Sequence, residues 1–328
     1  MSTGTILYLS ASDVAAALPR IDVIGAVATA LAAHGRGETL LPTEAYLAWE
    51  HDGETVRSLC MPASIDSFPG VKIINANRAN PARELPRASG LILLFEPRSA
   101  RPLCVMEGAR ISCLRTAAVT VIATALLAVP PVERLALIGA GALARCHLEL
   151  LPPRLGELRE IRVYDDERER ASALAFHASL ILCGSPEEAI RGAHVIVTVT
   201  TTTAGYIRYD WLEPGALLVN VSLDDPLPEV VLRADKLFVD DWNLIAADGR
   251  RLLGRMLRAG AVCGPNQEGA RAVDGELGQL LASGHRGRFH ADEIILFNPF
   301  GLAIEDLAVA KRVYEYARAS GLGTELEP

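Results

Sequence analysis

Apolar and polar positions follow two rhythms along the chain, and the change of rhythm divides it. Between Thr43 and Phe95 short runs of β character recur at Ala45–Trp49, Thr55–Cys60, Val71–Asn75 and Gly90–Phe95, separated by turn-rich pieces such as His51-Asp52-Gly53 and Asn80-Pro81-Ala82-Arg83. Pro102–Met106 reads as one more strand. A mainly antiparallel sheet is predicted here, and it is expected to carry the substrate side. Ahead of it, Ser12-Asp13-Val14 opens an N-capped, Ala-rich helix, and Ile21–Ala33 continues as a second helical pattern closed by Gly35-Arg36-Gly37. After Pro102–Met106, Ser112 is expected to cap a long helix that carries Arg115.

From Arg134 the pattern changes to short continuous apolar runs, as in strands buried on both faces. Leu135-Ala136-Leu137-Ile138 leads into Gly139-Ala140-Gly141-Ala142-Leu143-Ala144, a helical segment, and then Ile161-Arg162-Val163-Tyr164-Asp165. Strand, glycine turn, helix and strand in that order form a dinucleotide-binding unit: two glycines let the backbone approach a pyrophosphate, and the helix aims its N-terminus at it. Asp165 closes the second strand where a carboxylate would meet ribose hydroxyls, and it would repel a 2′-phosphate, which favours NAD over NADP. Further strands are predicted at Val195–Thr200, Leu217–Val221, Leu237–Asp240 and Glu293–Asn298, so the fold class is α/β, a Rossmann doubly wound parallel sheet. Thr198 to Thr203, Asn220 to Asp225 and Asn298 to Gly301 fall on its ligand-bearing rim, and Thr200 and Ser222 are counted with the cofactor site. The amphipathic segment Leu302–Ala319 is expected to return to the first region. Residues 1–118 with 302–328 then form a discontinuous α+β substrate domain, and residues 119–301 the nucleotide domain.

Composition narrows the picture. In 328 residues, 50% are hydrophobic and 22% charged, which describes a well-buried globular chain too long for one usual core. A net charge of -8 argues against nucleic acid or an anionic membrane as partner. The six cysteines are scattered and read as buried thiols of a reducing compartment, and the start Met1-Ser2-Thr3-Gly4-Thr5 lacks an export pattern, so a cytoplasmic location is expected. Ala117–Val132 is the most apolar stretch but too short to span a bilayer. The seven histidines include no pair at ligand spacing, and no metal site is assigned.

Several charged residues stand in apolar settings. Lys72 in Gly70-Val71-Lys72-Ile73 and Arg57 in Val56-Arg57-Ser58-Leu59 lie inside predicted strands, where a cation either packs its stem and reaches solvent or faces a polar cleft. Arg115 opens an uncharged helix and is either an interior ion pair or a fork for a substrate carboxylate. Asp224 and Asp225 follow Val219-Asn220-Val221-Ser222-Leu223 at a strand end, where this fold keeps its acids and bases. Glu276 reads as a solvated helix residue and Asp306 as a cap or ion-pair member.

With these residues assembled, the chain resembles the ornithine cyclodeaminase/μ-crystallin family. The likeness is carried by Gly70-Val71-Lys72, Ala88-Ser89-Gly90-Leu91-Ile92-Leu93-Leu94, Leu114-Arg115-Thr116-Ala117-Ala118, Ile138-Gly139-Ala140-Gly141-Ala142 and Gly301-Leu302-Ala303-Ile304-Glu305-Asp306. The resemblance implies an NAD-dependent amino acid dehydrogenase acting on a CH–NH bond, expected as a homodimer with a small amino-acid-derived substrate. It implies roles for Lys72 as active-site lysine, Arg115 as carboxylate binder, Asp225 as catalytic aspartate, and Gly139, Gly141 and Asp165 as nucleotide site, with Ala140, Ala142 and Leu143 on the same turn. Asp240-Asp241-Trp242 and Glu276-Leu277-Gly278-Gln279 are similar to the family branch that makes L-2,3-diaminopropionate and 2-oxoglutarate from N-(1-amino-1-carboxy-2-ethyl)-L-glutamate, for siderophores or nonribosomal peptides. Ornithine or lysine cyclodeamination, or non-catalytic ligand binding of the μ-crystallin type, are the alternatives. Where many members have Pro-x-Arg, this chain has Pro42-Thr43-Glu44. Glu44 cannot grip a carboxylate, so Arg57 is expected to take that part.

Overall fold

The antiparallel pattern is realised in a seven-stranded sheet. In the computed structural model, which describes residues 4–174 and 179–327, the chain divides into two units, residues 1–115 with 302–328 and residues 116–301. Met1-Ser2-Thr3 and His177, which entered the reading of the start and of the histidines, lie outside the described residues.

In the first unit the strands are β1 (Ile6–Leu9), β2 (Ala45–His51), β3 (Glu54–Ile65), β4 (Phe68–Asn77), β5 (Ala88–Phe95) and β6 (Pro102–Glu107). Strand β1 lies parallel to β6, the remaining neighbours are antiparallel, and Thr324–Leu326 adds an outer strand beside β1. Register puts Met61, Lys72, Ile92 and Met106 in one row across β3 to β6. Side chains alternate faces along a strand, so this row shares one face with Ala63, Ile65 and Leu94, and all of these are buried. The C-terminal helix, Ala303–Ser320, covers that face and also packs on the helix Val23–Gly35.

Two caps differ from the sequence reading. Ser10, not Ser12, caps the first helix (Ala11–Ala17), and the Ser10 N–H donates to the Asp13 carboxylate. The long helix begins at Ala109, so Ser112 lies inside its first turn, and the carboxylate of Glu107 accepts from the N–H groups of Ala109 and Arg110 instead. This helix, Ala109–Leu127, is the one helix among the described residues long and apolar enough to cross a membrane, which corrects the length argument made above. Its apolar window is 72% buried, as in the core helix of a globular protein.

The second unit holds an eight-stranded sheet. Its strands are β7 (Arg134–Ile138), β8 (Glu160–Tyr164), β9 (Leu180–Leu182), β10 (Val195–Thr198), β11 (Leu217–Asn220) and β12 (Lys236–Val239), with Gly275–Glu276 and Ile295–Asn298. All of its pairings are parallel. The chain runs outward from β7 through β8 to β9 and then starts again on the other side of β7 at β10. The order therefore reverses between β7 and β10, the switch point where such sheets open a crevice at their carboxyl ends. Strands β10, β11 and Ile295–Asn298 are wholly buried, which explains their unbroken apolar runs.

The cysteine reading needs correction: Cys60, Cys104, Cys183 and Cys263 are free thiols, whereas Cys113 and Cys146 are disulfide-bonded.

His147 gives the second unit a pH dependence. It is 1% exposed, and its ring bridges the Thr120 hydroxyl at 2.9 Å and the Leu143 carbonyl at 2.8 Å. Burial pushes its pKa down to about 4, so the folded state holds the neutral ring while an unfolded chain takes up a proton below about 6.5. Stability from this site is complete above the unfolded pKa and is lost as pH falls from about 6.5 toward 4, a change on the order of 3 kcal/mol. Thermal melts between pH 4 and 7 are expected to show that slope, flattened in His147→Gln; an equal slope in the variant would assign the acid sensitivity elsewhere.

Candidate active site

In the first unit, Lys72 is the charged member of an otherwise apolar buried row, 2% exposed. An ammonium there requires a counter-charge. The C-terminal helix supplies it: Lys72 Nζ donates to Asp306 Oδ2 at 2.5 Å and to Ser112 Oγ at 3.4 Å. Arg115 reaches the same turn, with Nη1 2.5 Å from Glu305 Oε2 and Nε 3.3 Å from Asp306 Oδ2. Glu305 Oε2 also accepts from the N–H of Leu302, so both acids stand in the first turn of their helix, where its dipole favours negative charge. Burial pushes the Lys72 ammonium below the usual lysine range; Asp306 opposes that shift, while the charge of Arg115 adds to it.

The interior ion-pair alternative for Arg115 is thus what the structure displays, and Asp306, read as a cap or ion-pair member with no partner named, pairs with both Lys72 and Arg115. Glu305 was missed, because its partner lies 190 positions away. Arg57 stands on the same sheet face as Lys72 and is half-buried, but four residues along β3 from Met61, roughly 13 Å from the Lys72 row. Glu44 precedes Ala45, which pairs with Cys60; continuing that register places Glu44 opposite Met61, the neighbour of Lys72. Its charge acts on the Lys72 ammonium and raises its pKa.

In the second unit the glycine turn sits at the switch point. Gly139 has φ +98°, and a Cβ there would lie 2.8 Å from the carbonyl oxygen of Val199 at the end of β10, so conformation and packing both demand glycine. Gly141 is different: nothing lies within 4 Å of its Cβ position, and it N-caps the helix Ala142–Leu150. A fixed turn with open space at the mouth of a helix suits a dinucleotide pyrophosphate. Asp165 follows β8; its Oδ2 accepts from the Ala140 N–H at 2.7 Å and its Oδ1 from the Glu167 N–H at 2.9 Å.

Along the rim, Ser222 Oγ donates to Thr198 Oγ1, which donates to Asn220 Oδ1, whose amide donates to Asn298 Oδ1 at 2.6 Å. Ser222 therefore belongs to a polar ladder tying three strand ends together. Leu223 then adopts φ +77°, a left-handed conformation costing a branched residue on the order of 1–2 kcal/mol. Two adjacent acids follow this turn. Asp224 faces Arg251, Arg255 and the N–H of Leu252. Asp225, fully buried, accepts at Oδ1 from the Thr200 hydroxyl at 2.8 Å and the Tyr206 phenol at 2.9 Å, while Oδ2 has no hydrogen-bond partner. Burial pushes the Asp225 carboxyl above the usual range, against the pull of neighbouring hydroxyls. Asn220 and Asn298 lie on the rim that the sequence marked, but their bond to each other was not foreseen, and Tyr206 was missed, since a single polar residue in a loop carries no periodicity. Glu276, read as solvated, accepts from the Trp242 N–H at 2.8 Å.

Comparison with known proteins places this arrangement. The model of the ornithine cyclodeaminase/mu-crystallin family matches residues 6–321. N-((2S)-2-amino-2-carboxyethyl)-L-glutamate dehydrogenase of Staphylococcus aureus (strain NCTC 8325 / PS 47) is 33% identical, over 98% of both chains. The crystal structure of CmnK superposes with TM-score 0.92 at 38% identity over 98% of both chains. An archaeal alanine dehydrogenase dimer with bound NAD superposes with TM-score 0.84 at 27% identity, covering 98% of this chain and 99% of that one.

Proposed function

The chain belongs to the ornithine cyclodeaminase/mu-crystallin family, and we propose that within it this protein oxidatively hydrolyses N-(1-amino-1-carboxy-2-ethyl)-L-glutamate with NAD, giving L-2,3-diaminopropionate and 2-oxoglutarate for siderophore or nonribosomal peptide assembly. The observation that carries the reading is Asp225: a buried carboxylate with one oxygen unpartnered, on the rim of a sheet whose glycine turn suits a dinucleotide.

Gly139, Gly141 and the N-terminus of the helix Ala142–Leu150 hold the pyrophosphate in this reading, and Asp165 exchanges its bond to the Ala140 N–H for ribose hydroxyls. When bound, NAD+ supplies the hydride acceptor. Arg115, Lys72 and Arg57 hold substrate carboxylates so that the glutamate Cα–H is oriented for transfer. The negative charge of Glu44 suits a substrate that carries an ammonium group as well as carboxylates. Asp225 takes the proton of the secondary ammonium, hydride leaves Cα, and a C=N bond forms. Water adds to that carbon, Asp225 returns a proton to the nitrogen as the C–N bond breaks, and one proton per turnover reaches solvent.

A homodimer is part of the proposal. The sheet face opposite Lys72 carries exposed Tyr8, Leu47, Trp49 and Leu91, an apolar surface suited to a second copy.

Mass spectrometry of reactions with NAD+ is expected to show 2,3-diaminopropionate and 2-oxoglutarate with stoichiometric NADH. Ammonia and proline from ornithine, without net NADH, would replace this reading by cyclodeamination; tight NADH binding with no amine consumed would replace it by ligand binding.

A further inference from the structure

We propose that Tyr206 is a positioning residue for Asp225: its phenol, together with the Thr200 hydroxyl, occupies Oδ1 and leaves Oδ2 as the single proton-accepting atom. The inference rests on the reading of Asp225 as the base and adds which oxygen acts and what holds it.

The geometry is built from both ends. Both donors converge on one oxygen, at 2.8 and 2.9 Å, and the other oxygen is buried without a partner. The segment that carries the phenol is fastened to the backbone of the carboxylate it serves. The N–H groups of Tyr206 and Ile207 donate to the Asp225 carbonyl at 2.8 and 2.9 Å, and the N–H of Leu227 donates back to Ile207 at 2.9 Å. Gly205 permits this, since a Cβ there would lie 2.5 Å from the carbonyl oxygen of Pro226. Asp224, the preceding residue, is engaged instead by Arg251. The phenol stays protonated, because burial and the adjacent carboxylate both push its ionisation up, so it acts only as donor at Oδ1. Ser222 also pulls the carboxyl toward its charged form, but with Oδ1 taken by the two donors the oxygen left without a hydrogen-bond partner is Oδ2. That atom receives the ammonium proton of the substrate and returns it to the amine nitrogen as the C–N bond breaks.

Tyr206→Phe removes one donor that favours the charged form, so the Asp225 pKa must rise. In the full-length protein, carbon-13 NMR of aspartate-labelled chain, with Asp225→Asn identifying the signal, is expected to show the titration midpoint rising by about one pH unit. The acid limb of the kcat profile should move by the same amount, with kcat at neutral pH down about tenfold and KM changed less than about twofold. Thr200→Val should act likewise and Thr200→Ser should restore the original midpoint, a pair that carries the test if Tyr206→Phe fails to fold. An unchanged midpoint in Tyr206→Phe and Thr200→Val, with the wild type active, overturns the positioning role. A wild type that consumes no amine while the midpoint still shifts sinks the base assignment and retains the hold on Oδ1.

Discussion

Lys72→Met is expected to reduce kcat/KM by about 10²–10⁴-fold and to lower stability by about 3 kcal/mol, for two separable reasons. The first belongs to the proposed chemistry: a cation that holds a substrate carboxylate is gone. The second belongs to the interior, because Asp306 is fully buried and its 2.5 Å ion pair disappears, leaving Arg115 as the nearest compensation. Breaking one side of a buried pair costs far more than removing both sides. Thermal melts of Lys72→Met beside Lys72→Met/Asp306→Asn separate the two effects: the double variant should recover most of the melting temperature and none of the turnover. Recovery of turnover along with stability would show that Lys72 matters only as a structural charge.

Asp225→Asn is expected to behave in the opposite way, with kcat down about 10²–10³-fold, KM within a few-fold, and the fold as stable as wild type or more so at neutral pH. The sign follows from burial. The folded carboxyl binds its proton more tightly than an unfolded aspartate does, so ionising it costs stability as pH rises through its folded value. Asparagine removes that cost while keeping the shape. A base works only when ionised, so wild-type kcat should fall as pH drops through that same raised value. Near-wild-type turnover in Asp225→Asn at saturating substrate would remove Asp225 from the proton transfers.

Much of the architecture was legible because it is local. Alternation located β2 to β6, continuous apolar runs located β7, β10 and β11, and Gly139-Ala140-Gly141 marked the turn that leaves β7. Helix starts were less so: several polar residues stood near Ala109, and choosing Glu107 over Ser112 depends on where a carboxylate can reach. Among the candidate residues of the two units, Lys72, Arg115 and Asp225 stood out as charges beside apolar runs, a signal carried by immediate neighbours. What answers those charges was mostly invisible. Glu305 acquires its meaning from Arg115, and the asparagine ladder from three strand ends in register. Tyr206 gains its role from a backbone staple to residues about twenty positions later. Those partnerships are created by topology, which no window of sequence contains.

The separation of Lys72 and Arg115 from their carboxylates also orders events during synthesis. Asp306 lies 234 positions after Lys72, and Glu305 190 after Arg115. Both cations are therefore incorporated before any strand of the eight-stranded sheet is translated. The sheet that carries Lys72 cannot neutralise its buried cation until the helix Ala303–Ser320 has been made and has packed on it.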